Sequence, residues 1–340
     1  MERKKSIQPG WLSKLRPYET PSLIKSWIQI GTSLIAYLVL MSSMIILVRN
    51  DHPYWIVFLI SVVTAGFYTR VFIVFHDCCH YSFFKSRSAC TILGNICGIV
   101  TFTSYTDWQR SHNVHHSTVS NLDRRGAGDV WTMTADEYKS SGILKKLQYR
   151  IMRNPFFLFG IGPSFLFLIL NRFPGKSSRK KEVLNLIFTN TVIASLIALI
   201  YFTIGIKHYL LVQAPVTVIG STFGMWLFYI QHQYENVYWD NEKNWDIFKA
   251  AMEGSSYYDL PPVLRWFSGN IGYHHIHHLR PKIPNYNLQP CFENIEELQK
   301  ITPITLRESF KSLRLCLWDE SKKQLISFSA LKENRAAAGG

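Results

Sequence analysis

Four stretches of this sequence are long and apolar enough to cross a lipid bilayer, and they decide what the chain can become. Trp27–Val48, Tyr54–Phe75, Val183–Ile206 and Tyr209–Gln231 carry a single charge among them, Arg70. A hydrocarbon core about 30 Å thick is crossed by roughly 20 helical residues. With no water to satisfy backbone groups, only helices or closed barrels span it. Each of the four runs therefore predicts a spanning helix. The composition agrees: 47% of residues are hydrophobic and only 18% charged, which is charge-poor for a soluble protein. Arg49, Asp51, His52 and Pro53 form a tight turn after the first run, and Lys207 and His208 another after the third. The expectation is an all-α integral membrane protein with four spanning helices in two hairpins.

Histidine is the second constraint. Nine of the twelve histidines fall in three clusters: His76 and His80; His112, His115 and His116; and His274, His275, His277 and His278. Packing does not ask for this, because histidine is only intermediate in its tendency to be buried and adjacent charged imidazoles repel. Imidazole is a common ligand for iron, copper, nickel and zinc. On a helix, residues spaced i, i+4 or i, i+3, i+4 share a face. His76/His80, His112/His115/His116 and His274/His277/His278 are such sets, giving eight one-sided imidazoles. His232, where the fourth run ends, makes a ninth. Nine ligands are too many for one zinc, which takes four; two metals with four or five each fit. His275 points away from its neighbours' face and reads as a supporting residue.

Metal ligands cannot lie a bilayer apart, so all three clusters belong on one side of the membrane. The short apolar stretch Cys90–Ser104, holding Gly94 and Gly98, therefore predicts an interfacial or re-entrant helix. Phe156–Leu170, interrupted by Gly160, Gly162 and Pro163, reads the same way. It is flanked by Lys145, Lys146, Arg150 and Arg153 before, and by Arg172, Lys176, Arg179, Lys180 and Lys181 after. The net charge of +14 suggests nucleic acid, but the basic residues sit beside apolar runs, as the positive-inside rule requires. Arg3, Lys4, Lys5, Lys14, Arg16 and Lys25 against Glu2 and Glu19 place the N-terminus in the cytoplasm, with the C-terminus and metal site beside it. No cleavable signal peptide is expected, since about 25 polar residues precede a run long enough to span. The resulting division is a cytoplasmic segment 1–26, a membrane domain 27–280 and a cytoplasmic tail 281–340. In the tail, Pro281 to Tyr286 forbids a regular helix, Ile295 to about Ala330 reads as helical, and Ala336–Gly340 as disordered. The six cysteines form neither a Cys-x-x-Cys pair nor a disulfide framework, and Cys78-Cys79 reads as packing between ligands.

The order H-x-x-x-H, H-x-x-H-H, H-x-x-H-H interleaved with two hairpins resembles the membrane-bound fatty acid desaturase family. Phe75-His76-Asp77-Cys78-Cys79-His80, Asn121-Leu122-Asp123-Arg124-Arg125-Gly126 and Gly269-Asn270-Ile271-Gly272-Tyr273-His274-His275 are similar to the strings of its bacterial acyl-lipid Δ5 branch. The likeness runs from about residue 20 to about residue 330. It implies a centre of two iron ions in a cytoplasmic cap, with O₂ as co-substrate and two electrons consumed. It also implies a cis Δ5 double bond in acyl chains of membrane phospholipids, and a bacterial plasma membrane as the location. No haem-, iron–sulfur- or flavin-binding segment is visible, so electrons would come from a separate ferredoxin or flavodoxin. Where acyl-CoA relatives carry an asparagine four residues before the fourth-helix histidine, this chain has Phe228; Asn270, four before His274, is the candidate substitute. The oligomeric state is not legible.

Breaking an unactivated C–H bond is beyond acid–base side chains, so a redox metal must carry it. Soluble di-iron bundles use Glu and Glu-x-x-His ligands. Here imidazole dominates and carboxylates are left to support it: Asp77, Asp107, Asp129 and Glu235 are candidates to accept imidazole N–H bonds, although each alone also reads as a solvated or capping carboxylate. Trp131, Tyr229, Tyr238 and Trp239 are candidates to line an acyl path or to form an interfacial belt. His52 and His208 sit in the far turns. A hydroxylase or ketolase on the same scaffold is the rival that spacing does not separate. A metalloprotease requires His-Glu-x-x-His, and no histidine here precedes glutamate. A haem or ion carrier requires histidines or charges in mid-membrane.

Overall fold

The structure, a computed structural model, describes residues 9–331 except 127 and 176. The Arg3-Lys4-Lys5 cluster, Lys176 and the Ala336–Gly340 tail lie outside the described residues. Helices Leu23–Arg49, Tyr54–Cys79, Lys180–Thr203 and Ile206–His232 realise the four apolar runs. Several ends overrun the runs because polar neighbours cap them, whereas the third helix stops short of Ile206, at Thr203, because Gly205 takes φ 87° and Ile206 opens the fourth. Ser22 Oγ accepts the Lys25 N–H before the first span, and Glu182 accepts the Arg179 N–H at 2.7 Å before the third. Half of the second span's apolar window (50%) is buried inside the protein against 17% of the third, so the second is the central post. It meets the fourth span closely at Gly220, where a Cβ would stand 2.6 Å from the ring of Tyr68.

Two further helix pairs are sharply bent. Arg87–Val100 meets Tyr105–Thr118 at 101°, and Ile143–Met152 meets Phe156–Arg172 at 58°. The first bend is locked by Phe102 in the left-handed region (φ 54°) and by the Thr103 N–H donating 2.7 Å to Gly98 O. Only glycine fits at 98, since a Cβ would lie 2.4 Å from the Thr103 carbonyl oxygen. Tyr105 packs over Gly94, and its hydroxyl donates 2.7 Å to Cys78 O at the end of the second span. The rings of His80, before this pair, and His112, within it, stand 4.9 Å apart. The chain thus dips and returns on one side.

The rest forms a cap over that side, pinned to the fourth span by Arg153. This buried guanidinium donates to Tyr229 Oη (3.2 Å), Gln233 Oε1 (3.0 Å) and Leu315 O (2.6 Å). The stretch after Ile295 corrects the helical expectation. Single turns, Glu296–Lys300 and Leu306–Ser309, lead into an antiparallel pair, Leu317–Asp319 with Gln324–Ile326, and Leu317–Trp318 also runs parallel to Met133–Thr134. Turn chemistry overrides helix propensity here: Asp319 Oδ1 accepts the N–H groups of Ser321 and Lys322, and Lys323 takes φ 48°. The break after Leu279 is also shorter than expected. Pro284 caps a helix, Asn285–Asn294, which already includes Tyr286.

Candidate metal centre

Nine histidines from four elements converge beneath the cap. The second span contributes His76 near its end and His80 as its cap, the bent pair His112, His115 and His116, and the fourth span His232. The short helix His274–Leu279 supplies the rest, its start set by the Tyr258 N–H donating 2.7 Å to Gly272 O. They sort into two groups, each with ligand atoms within 4.8 Å of one another: His76, His80, His112, His116 and His277; and His115, His232, His274 and His278. The i, i+4 pairs 112/116 and 274/278 each stay together, whereas the i+3 members cross over, His115 to the second group and His277 to the first. Successive helical residues turn by about 100°, so i+3 and i+4 straddle one face and can serve two centres. The groups touch where His116 and His278 stack, centroids 4.2 Å apart.

The protons show what these rings need. His115 Nδ1 lies 2.6 Å from Asp129 Oδ1, and His232 Nδ1 lies 3.1 Å from Gly254 O. Both partners accept only, so both Nδ1 atoms carry hydrogen, and in the neutral, metal-binding form of the rings both Nε2 atoms are bare lone pairs. Those lone pairs nevertheless face each other at 3.1 Å. His274 Nε2 stands 3.0 Å from His232 Nε2 and from His278 Nε2, and His116 Nε2 stands 3.1 Å from His112 Nε2 and 2.9 Å from His277 Nε2. His80 Nε2 is buried without a hydrogen-bond partner. Lone pairs so placed repel unless a cation lies between them. Two nitrogens bound at about 2.1 Å and at right angles to one ion would stand about 3.0 Å apart, against about 3.4 Å at a tetrahedral angle. The spacing fits ions with cis nitrogen ligands better than tetrahedral zinc. Burial, then the neighbouring imidazoles, holds His274, His277 and His278 well below the usual histidine range. They stay neutral, the form a metal takes.

The profile of the fatty acid desaturase family matches residues 53–308, a stretch that contains all nine histidines. The chain belongs to the fatty acid desaturase family. A fatty acid desaturase of Bacillus subtilis is 49% identical over 282 residues, covering 83% of this chain and 80% of that protein. An sn-1 oleoyl-lipid 12-desaturase of Synechocystis is 26% identical, covering 67% and 65%. A chloroplastic omega-6 fatty acid desaturase of Glycine max is 24% identical, covering 81% and 63%.

In this desaturase the supporting candidates separate. Asp129 holds His115; Asp77 Oδ1 lies 3.1 Å from His76 Nδ1. Asp107 instead accepts from Ser178 (2.7 Å), and Glu235 is exposed. Asn270 donates 3.3 Å to the Asn285 carbonyl and meets no ligand histidine. Phe228 fills the position before His232, its ring 5.5 Å from His115 and 5.6 Å from His232. His275 is fully buried away from both groups, between Tyr257 and Phe292. Burial pushes it down to about 4. Tyr229 and Trp239 belong to the cap's packing, against Arg153 and Trp318, and Trp131 meets Tyr149 edge to face. The Tyr238 hydroxyl accepts the Asp246 N–H. The Nδ1 of His208 faces Ile204 O (3.0 Å), and His52 is exposed in the other far turn. Sequence reasoning missed Asn285, whose backbone N–H (2.7 Å) and side-chain amide (2.8 Å) both donate to Asp77 Oδ2. Its place just after Pro284 is the only signal the sequence offers.

Proposed function

We propose that this enzyme inserts a cis double bond, at Δ5, into saturated acyl chains of membrane phospholipids, using two irons held by the five- and four-histidine groups. The observation that carries this reading is the bare, facing Nε2 lone pairs in a buried all-imidazole site, which suit two ions with cis nitrogens. With both irons bound, the centre would supply the oxidising power to take two hydrogens from adjacent methylenes; these two hydrogens, O₂, two donor electrons and two protons together make two waters. The chain's own residues make that possible in three ways. Burial keeps His274, His277 and His278 neutral, so no proton competes for their ligand nitrogens. Asp129 and Asp77 fix the tautomer and ring angle of His115 and His76 and place negative charge one bond away from otherwise uncharged ligands. The cap, with Phe228 packed against both His115 and His232, excludes bulk water from the reacting carbons.

The electron donor is a separate ferredoxin or flavodoxin, and the site faces the cytoplasm of a bacterial plasma membrane. Supporting the orientation, Lys14, Arg16, Lys25, Lys145, Lys146, Lys180 and Lys181 flank the metal end, whereas the far turns carry only Arg49, Asp51 and Lys207 as formal charges. The test is the fatty-acid profile of bacterial cells expressing the chain, double bonds located by mass spectrometry, beside a His115→Ala control. New monoenes with the bond between carbons 5 and 6, absent from the control, are expected. Hydroxylated products, or a bond elsewhere, would overturn the reaction or the position.

A further inference from the structure

On the metal side of the protein, an open cavity of about 550 Å³ lies between the start of the first span, the helix Pro262–Phe267 and the helix beginning at Asn285. Three cations line it, Lys25, Arg70 and Arg265, and no carboxylate does. Arg70 is the unusual one. It is buried within the second span, donates to Ser33 Oγ (3.2 Å) and to the Trp266 carbonyl, and stacks 3.8 Å from the Trp266 ring centroid. It has no acidic partner among the described residues, and a buried guanidinium without a counter-charge is costly. Arg265 does have one, Asp259 at 2.7 Å. Lys25 is exposed and bonds only a neutral amide, Asn287 Oδ1, at 3.1 Å. Ile24, Trp27, Ile28 and Val263 are exposed around this region, so the cavity mouth lies at the boundary of apolar membrane and polar surface.

We infer that this cavity binds the phosphate of a phospholipid headgroup, with Arg70 and Lys25 as its counter-charges. This rests on the reading that the substrate is a membrane lipid, and it gives that lipid a fixed point. Arg70 lies six residues before His76, a helical rise of about 9 Å. With roughly 1.2 Å of reach per chain bond, that distance is closed within about eight bonds of an anchored phosphate, so the carboxyl-end carbons of its acyl chain come within reach of the histidines. The inner wall also connects to the metal site: Gln29 and Asn285 exchange hydrogen bonds (2.9 and 3.2 Å), and Asn285 holds Asp77.

The test is binding of the purified full-length chain to nanodiscs of phosphatidylglycerol or of digalactosyldiacylglycerol, an uncharged bilayer lipid without phosphate, with inorganic phosphate as a competitor. None of these arms needs iron, oxygen or a donor, so failure here is separable from failure of the desaturase reading. Phosphatidylglycerol should be preferred. Lys25→Gln and Arg70→Gln should each weaken that preference about fivefold, and Lys139→Gln, on the exposed Asp136 pair, should not. Should Arg70→Gln not fold, Lys25→Gln alone decides. Equal binding to both lipids, an unchanged Lys25→Gln, or full displacement by millimolar inorganic phosphate would overturn the inference, the last by assigning the site to a free anion.

Discussion

Asp129→Asn isolates one half of the metal centre. The carboxylate accepts from His115 Nδ1 at 2.6 Å, with the ring 1% and the carboxylate 11% exposed, so solvent screens little of the interaction. A charge-assisted hydrogen bond of this kind contributes about 1.5–3 kcal/mol, and losing it turns His115 away from the tautomer that presents a bare Nε2. That energy corresponds to about 10–100-fold in affinity, the range found for residues that support metal-bound histidine. Only the group of His115, His232, His274 and His278 depends on it. Titrating the metal-free enzyme with ferrous iron against a calibrated chelator should therefore give one weakened site and one unchanged site. Asp77→Asn should weaken the other site, through His76. Equal weakening of both sites by Asp129→Asn, or none of either, would refute the division into two groups.

Other substitutions probe the frame. Gly98→Ala forces a Cβ to within 2.4 Å of the Thr103 oxygen, so the bent pair should loosen at a cost of about 2 kcal/mol, read as a lower melting temperature with reduced iron content. Arg153→Met strands Gln233 Oε1 and opens the cap's link to the fourth span, and should cost about 3 kcal/mol in a thermal melt. The metal-free protein should lose stability on acidification. His275 falls to about 4 in the folded chain, while unfolded imidazole titrates near 6.5. The unfolded state thus binds more protons below about 6.5, and stability falls from there towards pH 4, by on the order of 3 kcal/mol for this group alone. Melts at pH 8 and pH 5 check the sign; a higher melting temperature at pH 5 would refute it.

The fold was legible where one physical demand dominated. Uncharged runs of bilayer length leave only helices, and three histidine clusters that share metal must lie on one side, which forces the stretch after His80 to dip and return. The bend is visible as Gly98 and Phe102-Thr103 only once their contacts are known. The nine histidines that converge were legible from spacing, but their division into two groups was not. His115 and His277 cross between groups because i+3 and i+4 straddle a helix face by angles that backbone orientation, not sequence, settles. Proximity in sequence did not separate Asp77 and Asp129 from Asp107 and Glu235, which turn to Ser178 and to solvent. It could not reveal Asn285, which reaches Asp77 across 208 positions. The hairpin at Leu317–Ile326 escaped because its strands are three residues each, too short to show a period.

Anomalous diffraction at the iron edge, from crystals of the iron-loaded enzyme, tests the centre most directly. Two iron peaks are expected, one among His76, His80, His112, His116 and His277 and the other among His115, His232, His274 and His278. A single peak, or a pair of ions whose ligands ignore that division, would contradict it.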